Sequence, residues 1–384
     1  MRNEVARDEP GRAMKWLFWG SATLIVYTYL GYVAWLWLRS RLRPRPVLRM
    51  PQEPIVSMVM VVRNEEQVLD RKMRNLLELD YPQDRIQIVV VSDGSTDRTD
   101  AILREYARDA RVQVVMNQLS RGKASGLNDA MALAQGEVVV FSDARQKIEL
   151  GAVRLLMEAF ADAEVGGVSG ELMLGDPETG EAAEGMGLYW RIEKQIRVLE
   201  GASGSVVGAT GALYAARHEL LTALPAGTIL DDVYIPMHVV KQGKRVVFER
   251  RARVWDRPNG VGRREFYRKV RTLGGNYQLL QLAPWLLSWS NPLWFEFVSH
   301  KLLRLLVPFA MVALLVSSAV LEGPFYRACL WAQAGFYALS LLALAHVRLG
   351  ILGRLADPAK TMVLLNVAAL VAFTKFITGR KTAW

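Results

Sequence analysis

Two hydrophobic rhythms divide the chain. Long apolar runs occupy its two ends, and short apolar runs alternating with amphipathic stretches fill the middle. Residues 16–38 are 23 uncharged, mostly apolar positions, long enough to cross a bilayer, for which about 20 suffice. From residue 55 the rhythm changes. Strand-like runs at 55–62, 86–92, 112–116 and 138–141 alternate with helical periodicity at 65–79, 100–109, 123–133 and 153–161. This alternation predicts a parallel sheet built from strand–helix–strand units. Residues 165–174 read as a further strand, 175–187 as an acidic loop and 189–199 as a helix. A strand at 212–216 and a helix at 232–240 follow, the helix stopping near Gly243. Short strands at 246–248 and 253–255 close this part.

Apolar runs then return. Residues 284–299 mix Trp285, Trp289, Trp294 and Phe295 with polar residues and Pro292, an interfacial rather than a spanning pattern. Residues 305–321, 328–347 and 362–377 are span candidates, the last interrupted by Lys375. The predicted organisation is a tail (1–15), a transmembrane helix (16–38), a basic linker (39–53), an α/β domain (54–283), an interfacial helix (284–300) and a C-terminal membrane region of three spans (301–384).

Charge refines this picture. Arg39, Arg41, Arg43, Arg45 and Arg49 follow the first span with no acid among them, which places that flank and the domain after it in the cytoplasm. The formal net charge is +10, but the basic residues gather at membrane flanks, so nucleic-acid binding is excluded as a reading. The single cysteine, Cys329, rules out an intrachain disulfide and a cysteine-based zinc site. A transporter is disfavoured, because polar pore-lining spans are sparse and the α/β domain separates the spans.

The chemistry gathers where strand-like runs end. Val138-Val139-Val140-Phe141 stops at Asp143, after Ser142. Val89-Val90-Val91-Ser92 stops at Asp93, followed by Gly94-Ser95-Thr96-Asp97, and the first strand leads into Arg63-Asn64-Glu65-Glu66. Arg121-Gly122-Lys123 opens a helix in a manner suited to a diphosphate. In an open α/β sheet, ligands bind beyond the carboxyl ends of the strands, so these motifs converge on one rim. Each has a bland counterpart, an Asp-Gly turn or a helix cap; together they describe a pocket.

With Leu230-Asp231-Asp232, the set resembles the family 2 glycosyltransferases of GT-A fold over about residues 54–276. The membrane arrangement is similar to the cellulose, chitin, hyaluronan and poly-N-acetylglucosamine synthase branch. The resemblance implies an inverting transfer from a nucleotide sugar, UDP-linked, to a polysaccharide or membrane-lipid acceptor. It also implies a multi-pass protein of the cell (inner) membrane with its catalytic domain in the cytoplasm. Glu65 and Asp93 would line the nucleoside pocket, with Lys123 near the nucleotide. Asp143 would take the first position of an Asp-x-Asp motif that handles a diphosphate-bound divalent cation (Mg or Mn). Asp232, eleven residues before Gly243, would be the general base and Asp231 its neighbour. Gly208, Thr210 and Gly211 match a small-residue acceptor region, where close backbone approach and tight core packing are both open readings.

Two departures from the family pattern stand out. Arg145 replaces the second acid of Asp-x-Asp, so either Asp143 holds the metal with diphosphate and water, or Arg145 itself meets the negative charge. Downstream, Arg271 keeps the arginine of a Gln-x-x-Arg-Trp motif, while Arg268 and Thr272 replace its glutamine and tryptophan. Arg271 can neutralise diphosphate oxygens through its planar fork. Losing the stacking aromatic weakens the case for processive synthesis. A polymerase that also exports its product remains the alternative, with a second copy or an export partner completing its channel. A catalytically inactive membrane scaffold is the alternative from another class.

Overall fold

All seven residues of strand β1 (Val56–Val62) are buried, because helices cover both faces of the sheet it centres. The computed structural model describes residues 2–176, 181–182, 188–257, 263–345 and 353–379. Eight further strands follow β1: β2 (Ile86–Asp93), β3 (Val112–Asn117), β4 (Val138–Ser142), β5 (Lys147–Ile148), β6 (Val165–Asp176), β7 (Glu181–Ala182), β8 (Leu213–Arg217) and β9 (Arg245–Asp256). Their order is β3-β2-β1-β4-β8-β6-β9-β5, with β7 on β6. The half from β3 to β4 is parallel, as the alternation predicts. Beyond β4 the sheet is mixed: β8 is antiparallel to both β4 and β6, and β9 is parallel to β6.

Side chains alternate between two cores, with the period of two that a pleated strand imposes. Met58 and Met60 of β1 enter one, and Val59 and Val61 the other. Helices α3 (Leu69–Leu77), α4 (Thr99–Tyr106) and α6 (Ala152–Glu158) contribute to the first through Met73, Leu103 and Leu156. Helices α5 (Lys123–Leu133), α8 (Asp231–Lys241) and α9 (Arg263–Leu282) contribute to the second through Leu127, Met237 and Leu279.

Some elements differ from the sequence expectation. Helix α3 starts at Leu69 rather than at 65, because Asn64 adopts a positive φ of 54° and the chain turns there. The two short strands expected near 250 are one strand, β9, whose charged middle is tied down by Glu249 pairing with Arg49 and Arg251. The expected loop at 175–187 includes the end of β6 and all of β7; its residues 177–180 and 183–187 lie outside the described residues.

Among the described residues, four helical stretches are long and apolar enough to cross a membrane: Gly11–Leu42, Trp294–Val320, Pro324–Leu344 and Ala356–Ile377. The first is α1 (Arg2–Val26) continued through one π-turn into α2 (Tyr32–Leu42), so the expected tail at 1–15 is helical from Arg2. The segment expected as one interfacial helix, 284–300, divides. Pro284–Leu287 is a single 3-10 turn, while α10 (Trp294–Phe297) runs through a π-turn into α11 (Leu303–Val320). Helix α12 (Pro324–Leu344) returns antiparallel to α11, with the Gln333 amide donating to the Met311 carbonyl at 2.8 Å. Helix α13 (Gly353–Ile377) is the last.

A buried charge network joins the membrane helices to the domain through α7 (Leu188–Ser203). His300 sits between two carboxylates, 2.8 Å from Glu200 through Nδ1 and 2.8 Å from Glu193 through Nε2. Arg304 donates to Glu193 at 2.6 Å, and the Tyr32 hydroxyl donates to Glu200 at 2.8 Å. Burial pushes the Glu193 carboxyl up, yet Arg304 and His300 outweigh it and hold the group well below the usual carboxylate range. Arg39 pairs with Glu296 at the same junction. Replacing one member of such a buried network strands the others, at about 3–5 kcal/mol. His300→Leu is therefore expected to lower the unfolding temperature of the detergent-solubilised protein by several degrees, whereas an exposed variant such as Arg108→Ala leaves it unchanged.

Candidate active site

The carboxyl ends of β1, β2 and β4 share one rim, and β8, running antiparallel to β4, begins at that rim. The register Ser142↔Leu213 puts the chain just before β8 beside Asp143. Helix α8 opens nearby with Asp231 and Asp232 in its first turn. A cavity of about 860 Å³ lies over the rim, lined among others by Asn64, Glu65, Lys123, Asp143, Arg145 and Arg271. That size suits a small-molecule ligand.

One ammonium group organises its floor. Lys123 Nζ lies 3.0 Å from Asp143 Oδ1 and 3.2 Å from Asp231 Oδ1, so a single cation ties the end of β4 to the start of α8. Burial alone would discharge it, but Asp143 and Asp231 outweigh burial and hold its pKa above the ordinary lysine value. Asp231 is buried and also accepts a hydrogen bond from the Tyr214 hydroxyl at 3.4 Å, so both interactions fix its position.

Asp232 differs from its neighbour. It is partly exposed, and its carboxyl is pushed up to about 6 by burial and then by the charge of Asp231, against the pull of Lys123, Lys301 and Arg197. Such a group is ionised at neutral pH yet basic enough to take a proton. A methyl group on Gly211 would stand 3.4 Å from Asp232 Oδ2 and 3.8 Å from Asp143 Oδ2. The two carboxylates thus face one gap, kept open because residue 211 has no side chain.

The other residues singled out by sequence divide into those that face the cavity and those that support it. Glu65 faces it, its carboxyl raised by burial and by Asp143 against the pull of Arg145. Arg145 approaches Asp256 at 3.9 Å, and Arg268 approaches it at 4.0 Å while pairing with Glu265 at 2.6 Å. Asp93 is fully buried behind the rim. Its carboxylate accepts from Ser120 Oγ (2.7 Å), Arg121 N (2.8 Å) and Gly122 N (2.9 Å), so it clamps the loop that presents Lys123. Gly208 packs on α8, where a Cβ would meet Val233 at 3.0 Å, and Thr210 is buried with its N–H donating to Ser169. Of the small-residue stretch, Gly211 is the member that faces the two carboxylates.

Sequence reasoning missed Lys72. It is fully buried under the loop that carries Asp143 and Arg145, donating to Ser142 Oγ at 2.8 Å and to the Gln146 carbonyl at 2.9 Å. Burial pushes its pKa down to about 7, with Asp143 opposing and Arg71 adding to the fall. In an amphipathic helix a lysine reads as solvent-facing, so the pattern gave no signal for it. Lys375, which appeared only as a flaw in a span, also lines the cavity.

The donor set for a metal is small. Among the described residues no group of three or more His, Cys, Asp or Glu side chains is arranged to hold one. Asp143 offers Oδ2, since Oδ1 meets Lys123. A magnesium-type ion commonly binds through one or two carboxylates together with substrate phosphates and water. Asp143 fits that pattern, as a site completed by a phosphate ligand.

Residues 57–221 match the family model described as Glycosyl transferase family 2. The chain is 27% identical over 235 residues to the beta-monoglucosyldiacylglycerol synthase of Synechocystis sp., covering 54% of this chain and 49% of that protein. It is 28% identical over 161 residues to a poly-beta-1,6-N-acetyl-D-glucosamine synthase of Staphylococcus epidermidis, covering 40% of this chain and 38% of that one. The chain thus spans half or less of the length of these relatives. In fold it is similar to the mannosyltransferase PcManGT of Pyrobaculum calidifontis, solved with GDP-Man and Mn2+, with a TM-score of 0.72 and 22% identity over 95% of this chain and 100% of that one.

The clamp role of Asp93 has a measurable consequence. Asp93→Ala strands one hydroxyl and two backbone donors, each buried polar group costing about 1–3 kcal/mol when unpaired. Unfolding of the purified protein should register a loss of about that size or more, whereas Asp84→Asn, at an exposed turn, should unfold close to the wild-type temperature.

Proposed function

We propose that this chain, whose residues 57–221 form a family 2 glycosyltransferase domain, moves a sugar from a nucleoside-diphosphate sugar to a lipid or polysaccharide acceptor at the cytoplasmic face of the inner membrane. The observation that carries this reading is the gap at Gly211, which the carboxylates of Asp232 and Asp143 face together. A donor bound along the rim would set its diphosphate near Asp143 and the cations of the cavity. Its anomeric carbon would then lie toward Asp232.

Asp232 takes the proton of an acceptor hydroxyl as that oxygen attacks the anomeric carbon. The bond from the anomeric carbon to the diphosphate oxygen breaks in the same displacement, so the configuration inverts. Lys123 stays charged through its two carboxylate partners and, with Arg145 and Arg271, meets the negative charge growing on the leaving group. Asp143 would hold a divalent cation, magnesium or manganese, whose contribution is Lewis-acid neutralisation of the departing diphosphate. Lys72 holds the loop beneath Asp143 in place. Single transfer to a lipid is favoured over processive synthesis, because Thr272 stands where an acceptor-gripping aromatic would be.

Three outcomes follow. Asp232→Asn should abolish nucleotide release with a panel of UDP- and GDP-sugars while leaving nucleotide binding within about twofold; sustained turnover in that variant would remove Asp232 as the base. Because the base works only as the carboxylate and its pKa lies at about 6, kcat/KM should fall about tenfold per pH unit below pH 6 and level off above it. Gly211→Ala introduces a methyl at ordinary contact distance, so the protein should fold normally but lose turnover by about tenfold or more as the gap fills.

A further inference from the structure

The expected order of spans puts the end of the last helix on the membrane face opposite the catalytic domain. The structure places it elsewhere. Near the domain, Tyr32 meets Glu200, and Arg39 meets Glu296. At the far end of the bundle, Phe18 and Trp19 pack against Phe325 at the start of α12. Helix α12 runs back from there toward the domain, antiparallel to α11. A third crossing would carry the end of α13 away again. Instead, Lys375 and Phe376 of its last turn reach α9: the Lys375 ammonium lies 5.4 Å from the centre of the Tyr267 ring, and Phe376 stacks on Tyr277 at 5.3 Å.

Packing explains how the helix is held there. Ala368 and Ala372 are buried against Val270 of α9, and small residues at such a contact let two helices approach closely. Residues 368, 372 and 375 recur at the spacing that keeps side chains on one helical face, so the contact that docks α13 also aims Lys375 at the domain. Two cavities meet at this point. The one over the rim, of about 860 Å³, and a second of about 570 Å³ beneath α5 and α9 share Lys123, Arg271 and Lys375 in their walls. Of the charged residues lining the first, six are cationic (Arg63, Lys123, Arg145, Arg268, Arg271 and Lys375) and two are acidic (Glu65 and Asp143). Among the described residues, the charged groups lining the second are the three shared cations. Such walls suit a multiply charged anion.

We infer that Lys375 is a diphosphate-binding residue, and that the last membrane helix completes the donor site by carrying this ammonium into it. The inference rests on the donor reading given above. A lysine within an apolar segment is costly and marks function or a snorkelling side chain. Snorkelling would send the ammonium to lipid headgroups, whereas here it rests on the face of Tyr267, another wall of the same cavity. That cation–π contact holds it ready without neutralising it.

The test uses the whole chain in lipid nanodiscs and compares binding of UDP and GDP with binding of uridine and guanosine. Lys375→Gln should weaken the preferred diphosphate about tenfold and leave its nucleoside within about twofold; Lys375→Arg should restore most of the loss. If Lys375→Gln binds the diphosphate as wild type does, Lys375 is not in the site, and the donor reading still stands. If the wild-type protein binds neither diphosphate, both fall. A second measurement does not depend on that variant folding: Thr378→Cys in a Cys329→Ser background should react with a membrane-impermeant maleimide from the face bearing the domain. Labelling only from the opposite face overturns the inference.

Discussion

A single ammonium held between two carboxylates is the contact on which the site depends. Lys123 reaches Asp143 at the end of a strand and Asp231 at the start of a helix, and without it two negative charges would face each other in a partly buried space. The loop before Lys123 is clamped in turn by Asp93, and the loop after Asp143 by Lys72. Charge therefore sits in layers. Buried groups of fixed partnership lie beneath, and less constrained groups face the cavity. Asp232, partly exposed beside the buried Asp231, lies at the boundary between them.

The same layering appears where the domain meets the membrane helices. Glu193, Glu200 and His300 are buried and hydrogen-bonded to one another, Arg304 donates to Glu193 from their edge, and Glu200 also accepts from the Val207 N–H at 3.2 Å. Val207 begins the stretch whose Ala209 N–H donates to the Asp232 carbonyl. Hydrogen bonds at Val207 and Ala209, two residues apart, thus tie this stretch at one point to the buried network and at the other to the backbone of Asp232. The spans are part of the framework of the site.

What the sequence disclosed and what it hid have a common physical basis. Strands β1, β2 and β4 were legible because both their faces are covered, so their apolar runs are nearly unbroken. Asp143, Glu65 and Asp232 stood out as candidates because strand ends and helix starts are the places where polar groups can reach a ligand. The charged middle of β9 read as a break, since the partners that tolerate it, Arg49 and Arg251, are known only from the fold. Asp93 and Asp143 look alike in sequence, each ending a buried strand; which of them turns inward is decided by a loop 27 residues beyond the first. Lys72 and Lys375 were hidden for a complementary reason. A lysine in an amphipathic helix reads as solvated and a lysine in an apolar run reads as a defect, and only tertiary contact corrects either reading.

The reversal of direction at β8 carries a consequence of its own. Because β8 pairs antiparallel with β4, the backbone bonds that align Ser142 with Leu213 also set how far Gly211 stands from Asp143. The separation of that backbone position from Asp143 is thus fixed by a ladder of main-chain hydrogen bonds. Side chains around the gap can change without altering it. The spacing stays constant as long as the ladder keeps its register.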